Sequence, residues 1–319
     1  MTQAMSLSLS LGSFQQIWSE RAPFVVTGLD SAFQICWTPA YFVRRFGTQE
    51  CEVEDCRTGL SRPSTVGSFF SLFDVRPSSS TEISKLKDWP TESFFQTEYP
   101  QLYEDFVKVL PVPEYTASNG IYNLAAYFPL NSIRPDLGPK IYSALACPFD
   151  EDHSGSTRLH IDLSDAINVM TYAGTCYDGA PGYALWHIFE ACDVPALRDF
   201  MQFKFPPHSG DVIHNQEIYL TPSLLRELDD TRGVRPYLIH QRVGEAVFIP
   251  AGCPHQVANQ ANCIKIACDF VSPESIGVCL KLSSEFRAQR IARGWPLDVL
   301  PVVSMLYYAW TSCDSLNVK

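Results

Sequence analysis

From about residue 140 onward the chain is a succession of short apolar runs. They cover 141–145, 159–161, 166–173, 183–189, 237–240, 246–249 and 264–271, with Gly174, Gly179, Gly182, Gly210, Gly244 and Gly252 between them. Runs of this length set off by turn residues predict strands, and many in a row predict a sandwich or barrel. Two helices interrupt the series. One opens at Thr221-Pro222, carries Leu224, Leu225 and Leu228, and stops at Gly233. The other is framed by Ser272-Pro273 and Gly294, with serine before the first turn, proline inside it and glycine past the end. The first third reads as mixed. A strand and turn are expected at 24–28, and a helix from Thr38-Pro39 to Gly47 with Phe42 and Phe46 on one face. Further helices are expected through 68–73 and over about 98–110, with a Ser-rich exposed loop at 77–81.

Composition narrows the class. The chain has 319 residues, 46% hydrophobic and 18% charged, enough apolar material for a large core. The net charge of −11 argues against a general phosphate-binding surface, so strong direct nucleic-acid binding is not expected, and an acidic body suits a basic partner. No apolar run is long enough to cross a membrane, and the N-terminus lacks the basic segment of a signal peptide. The 11 cysteines are scattered without CxxC pairs, which fits reduced, mostly buried thiols; Cys51 and Cys56 form at most half a zinc site.

The candidate chemistry begins at His160-Ile161-Asp162. On a strand, residues i and i+2 point to one face, so an imidazole and a carboxylate can meet at one point. Alone, such a pair is also the pattern of a hydrogen-bonded core histidine beside a turn acid. Downstream lies Gly244-Glu245, an apolar strand, Pro250-Ala251-Gly252 and then His255 opening the next strand. That sequence is how double-stranded β-helix barrels return a late histidine to a metal. Two histidines and one carboxylate make the facial triad of non-haem Fe(II) oxygenases, which leaves coordination positions open.

Longer strings then carry a family resemblance. They include Leu86-Lys87-Asp88-Trp89-Pro90, Pro113-Glu114-Tyr115 and the run 133–142. Leu159 to Ala166, Ala184-Leu185-Trp186-His187-Ile188, the run 246–256 and Asp269 to Glu274 complete them. The chain resembles the JmjC-domain 2-oxoglutarate oxygenases, and within them the branch that demethylates lysine 9 of the histone H3 tail. The resemblance implies a mainly β fold with flanking helices, a double-stranded β-helix (jelly-roll, cupin-like) barrel. A single domain over 1–319 is expected: a mixed region 1–139, a barrel core 140–271 and C-terminal helices 272–319.

By the same resemblance, Fe(II) falls to His160, Asp162 and His255, with 2-oxoglutarate as co-substrate and dioxygen as oxidant. Thr157 and Asn168 correspond to polar contacts of 2-oxoglutarate. Many relatives place a lysine two residues before a strand tryptophan; here that place is Ala184, ahead of Trp186. A buried carboxylate needs a cation, and Lys265, on an otherwise apolar strand, is the expected substitute; the alternative is an edge lysine facing water. Tyr142 and Lys140 are further candidates for the same pocket. Asp165 is expected to orient a ligand, His187 to be a hydrogen-bonded wall residue, and His153, His208, His214 and His240 to be structural or exposed. Asp150-Glu151-Asp152 is either a solvated loop or part of a surface receiving a basic peptide. The activity implied is demethylation of mono- or dimethylated lysine with formaldehyde release, in the nucleus, on a histone H3 tail partner. Hydroxylation of another protein and a catalytically silent chromatin scaffold are the alternatives. The segment 177–182 is shorter than in the related demethylases.

Overall fold

The computed structural model describes residues 4–6, 9–74, 83–90, 94–129, 132, 135–147, 149–150, 155–205, 210–293 and 300–317. The loop expected at 77–81, Glu151, Asp152, His153, His208 and Gly294 lie outside the described residues.

Thirteen strands are described, in chain order β1 (Ala4–Ser6), β2 (Phe24–Thr27), β3 (Glu50–Asp55), β4 (Ser61–Thr65), β5 (Ser84–Trp89), β6 (Lys140–Ala144), β7 (Thr157–His160), β8 (Asp165–Ala173), β9 (Ala184–Ile188), β10 (Tyr237–Gln241), β11 (Ala246–Ile249), β12 (His255–Asn259) and β13 (Cys263–Phe270). They form two sheets. The large one has the order β1-β2-β11-β8-β13-β6-β5-β3-β4, and the small one β10-β9-β12-β7. Every pairing is antiparallel except β1 with β2. This is the mainly β jelly-roll with flanking helices that the sequence predicts.

Alternation along the strands sorts side chains to two faces. On β11, Ala246 and Phe248 join the large outer core, and Val247 and Ile249 the core between the sheets. On β13, Ile264, Ile266 and Phe270 pack outward, leaving Lys265 on the inner face. The outer core is aromatic. The N-terminal helix Leu11–Trp18 lays Phe14 and Trp18 against it. Phe24 stacks on Phe248 at 4.7 Å, the two being direct partners across the β2–β11 ladder. The N-terminal region therefore shares its sheet and its core with the barrel strands.

The frames of the predicted helices are recognisable. Thr38 caps Pro39–Phe46, its hydroxyl accepting from the Tyr41 N–H, and Gly47 follows. Pro222–Arg232 ends on Gly233 in the left-handed conformation, φ +67°. The helix expected over 98–110 is in fact two, Phe95–Glu98 and Pro100–Val109. The break is at Tyr99 (φ −130°, ψ 59°), because a proline disfavours helical geometry in the residue before it. Ser272 precedes a 3₁₀ turn, Pro273–Ser275, that leads into Ile276–Arg293. The β3–β4 hairpin and β5 are absent from the prediction. Their sequences are charged and polar, and only Val53 of β3 is fully buried, so no apolar run marks them. β4 even holds Pro63, which an edge strand tolerates.

Candidate metal centre and co-substrate pocket

His160 closes β7, His255 opens β12, and the two are ladder partners in the small sheet. Their rings lie 4.1 Å apart, centroid to centroid. Asp162 reaches the same point differently from the expectation: β7 ends at His160, so Asp162 belongs to the turn beyond it and not to the strand face. The ladder ends there because His255 is the first residue of β12. What holds Asp162 instead is its backbone carbonyl, which accepts from the Gly252 N–H at 3.2 Å. One turn thus supports both the carboxylate and the second histidine.

The carboxylate faces both rings. Oδ1 is 3.6 Å from His160 Nε2, and Oδ2 is 3.5 Å from His255 Nε2. These separations exceed a normal hydrogen bond. Each Nδ1 lies against a backbone carbonyl, His160 on Arg158 at 2.8 Å and His255 on Cys253 at 3.0 Å. A carbonyl only accepts, so Nδ1 carries a proton in each ring, and Nε2 is the nitrogen turned toward Asp162. Backbone carbonyls commonly fix the tautomer of a metal-ligating histidine in this way. The three donor atoms lie within 4.8 Å of one another, and among the described residues this is the one such group. Two imidazole nitrogens and a carboxylate suit a divalent iron-type ion, so the residues present fit the expected metal.

The triad's His160 and Asp162 line a cavity of about 450 Å³, together with Thr157, Tyr142, Asn259 and Lys265. Lys265 is 5% exposed and points inward, not to water. Its ammonium donates to Asn259 Oδ1 at 2.9 Å and lies 5.4 Å from the centre of the Trp186 ring. Among the described residues no acidic side chain pairs with it. Burial therefore brings its pKa down to about 8. Asn259 was not foreseen. It shares the inner face of β12 with His255 at i+4, and its Nδ2 is buried without a hydrogen-bond partner. Its ladder partner on β9 is Ala184, the small residue at the expected lysine place.

The other candidates are distributed around this pocket. Trp186 donates its indole N–H to Gln241 at 2.9 Å and stacks beside His255, forming the wall behind it. Asn168 accepts from the Gln241 side chain, through its carbonyl at 2.8 Å and its amide oxygen at 3.3 Å, and is not part of the cavity lining. The Tyr142 hydroxyl bonds Asp88, and burial and that carboxylate raise its pKa far above the usual value. Lys140 is held by Asp136 at 2.8 Å and by the Pro90 carbonyl. Asp269 sits where burial, and then the charge of Asp162, hold its carboxyl well above the usual range. Asp165 touches neither histidine; it binds the turn and helix start that follow. His187 is buried as expected but lacks a partner for Nδ1, and burial lowers its pKa to about 4. His214 contacts Glu285 at 3.2 Å, a structural role, and His240 is exposed. All 11 cysteines are free, six of them buried.

Known proteins are similar to this chain in sequence. Residues 153–270 match the family described as "JmjC domain, hydroxylase". The chain is 38% identical to lysine-specific demethylase 3A of Gallus gallus and 37% identical to that of Homo sapiens, in each case over 93% of this chain and 26% of the relative. It is 34% identical to lysine-specific demethylase 3 of Drosophila melanogaster, over 96% of this chain and 41% of that one. The chain thus spans between about a quarter and two fifths of these relatives. With the barrel, the convergent His-Asp-His donors and this similarity together, residues 153–270 are a JmjC domain.

Proposed function

We propose that the protein is an Fe(II)- and 2-oxoglutarate-dependent dioxygenase that demethylates lysine in histone tails, with mono- and dimethylated lysine 9 of histone H3 as substrate and the nucleus as its place of action. The observation that carries this reading is a single cavity lined both by His160 and Asp162, two of the three converging metal-type donors, and by Lys265, a buried lysine that no acidic side chain among the described residues pairs with. When bound, Fe(II) with 2-oxoglutarate and dioxygen supplies an oxidant able to hydroxylate an N-methyl group, which is then lost as formaldehyde.

The chain's own residues have separable tasks. His160, Asp162 and His255 would hold the metal. Lys265 receives the distal carboxylate of the co-substrate, and in doing so regains the charge partner that burial denies it. Asn259 keeps the ammonium in place with Oδ1 and offers its spare N–H to the same carboxylate. Thr157 and Tyr142 line the path between. Asp88 lines the same cavity as Asp162, and an acidic side chain there suits a methylated lysine that remains cationic.

The test is formaldehyde release from a dimethylated H3 tail peptide, with succinate measured in parallel. Release that requires both Fe(II) and 2-oxoglutarate supports the reading. The "hydroxylase" description of the matched family favours a second reading, side-chain hydroxylation of another protein. Peptide gaining one oxygen without formaldehyde would favour that second reading. Succinate formation absent under all conditions would leave a silent scaffold.

A further inference from the structure

The turn that delivers His255 is clamped from outside the region matched to the family. Arg21 follows the helix Leu11–Trp18 and holds a positive φ of 55°. Its Nη2 donates to the Ala251 carbonyl at 2.7 Å across 230 positions of sequence. Its Nη1 donates to the Ser275 hydroxyl at 2.8 Å and to the Glu274 carbonyl at 3.1 Å. The other end of Ala251 is fixed by Asp165, whose Oδ1 accepts the Ala251 N–H at 2.8 Å. Asp165 is wholly buried and also accepts from Ser275 Oγ, Ser272 Oγ and the Ser272 N–H. Four donors thus offset the burial of one carboxylate.

Both backbone groups of Ala251 are therefore held, and the next residues are the ones that set the triad. The Gly252 N–H bonds the Asp162 carbonyl, and the Cys253 carbonyl bonds His255 Nδ1. Gly252 has φ +84°, and a Cβ there would meet Val278 at 2.7 Å, so the turn has little room to shift. We infer that Arg21 and Asp165 are positioning residues: by pinning Ala251 they fix the turn that aims His255 and Asp162 at one metal. This rests on the metal reading proposed for the triad.

The experiment is titration of the metal-free protein with Co(II), followed by its visible absorption, alongside thermal unfolding. Arg21→Ala and Asp165→Asn are expected to weaken Co(II) binding about tenfold, the lower end of what supporting residues of metal ligands contribute. Arg21→Lys, with one donor group in place of a fork, is expected to recover part of the loss, and it decides the matter if Arg21→Ala does not fold. Trp18→Phe is the control. It removes the 3.1 Å bond from the indole to Ser272 in the same network without touching Ala251. It should lower the melting temperature and leave Co(II) affinity unchanged. Wild-type affinity in Arg21→Lys and Asp165→Asn, or an equal loss in Trp18→Phe, overturns the inference. Failure of the wild-type protein to bind Co(II) would instead overturn the metal reading itself.

Discussion

The two faces of the large sheet hold opposite kinds of material. Outward, β2, β11 and β13 present Phe24, Phe248 and Phe270 to Phe14 and Trp18, rings at 4.7–6.3 Å with no polar atom to satisfy except the Trp18 N–H. Inward, the same β13 places Lys265 beside Asn259, a buried cation with no acidic partner among the described residues and a buried amide with a spare donor. Neighbouring residues of one strand thus do opposite things to stability. Apolar burial on one face offsets the cost of polar groups held ready on the other. Removing residues from each face should separate folding from chemistry.

The largest effect is expected at the metal. His160→Ala or His255→Ala removes one of three donors, and iron-dependent turnover of 2-oxoglutarate should fall below detection in a succinate assay. Circular dichroism should remain that of the parent, because neither ring belongs to the aromatic core. Turnover at the parental rate in either variant would mean that the metal is held elsewhere.

Next comes the outer face. Phe248 is fully buried among four aromatic rings. Phe248→Ala should cost about 3–5 kcal/mol of unfolding free energy, read from denaturant midpoints. Metal affinity, measured where the variant is still folded, should barely change.

The outer face was also the more legible of the two. Its residues recur in apolar runs, and the strand 246–249 is found at its predicted limits. The donors of the triad were legible too, because a His-x-Asp and a Pro-x-Gly turn before a histidine are local patterns. Their geometry was less so. Asp162 lies past the strand end, held by a contact with Gly252 that no spacing rule anticipates. Asn259 and Arg21 escaped for a shared reason: each matters through a partner distant in sequence or on another strand. Parity could have found Asn259, since His255, Val257 and Asn259 alternate onto the face that Lys265 also occupies. Nothing local marks Arg21, whose acceptor is a backbone carbonyl 230 residues away.

On the inner face, Lys265→Met keeps the length and removes the charge. Its effects on co-substrate affinity and on fold stability should be opposite in sign. The KM for 2-oxoglutarate should rise about 100-fold, equivalent to roughly 2–3 kcal/mol for a lost charge-assisted contact. Thermal stability should rise slightly, because an unpaired ammonium no longer has to be buried. A rise in KM together with a fall in thermal stability would mean that the lysine is structural.

pH tests the same residue without mutation. The free protein holds Lys265 at about 8 against an ordinary 10.5, so the ammonium is present at neutral pH and is lost as pH passes 8. Efficiency with limiting 2-oxoglutarate should therefore decline above pH 8, by up to tenfold per pH unit, and Lys265→Met should lack that limb. Stability moves the other way. Between about 8 and 10.5 the unfolded chain binds the proton that the folded chain has released, so this group's contribution rises with pH across that window.

The smallest effect separates Asn259 from the lysine it holds. Asn259→Ala deletes one neutral partner of the ammonium and one spare donor, each worth about 1 kcal/mol. If Asn259 only steadies Lys265, the KM for 2-oxoglutarate should rise about fivefold and the alkaline limb should move to lower pH, because the ammonium loses the hydrogen-bond acceptor that favours its charged form. If the spare N–H also meets the carboxylate, the two losses combine to about 30-fold. Asn259→Asp distinguishes these cases by sign. An added carboxylate would pair with Lys265 in the empty pocket and stabilise the fold, while its charge would repel the co-substrate, so melting temperature and KM should both rise. A rise in melting temperature with an unchanged KM would place the co-substrate's distal carboxylate away from Lys265.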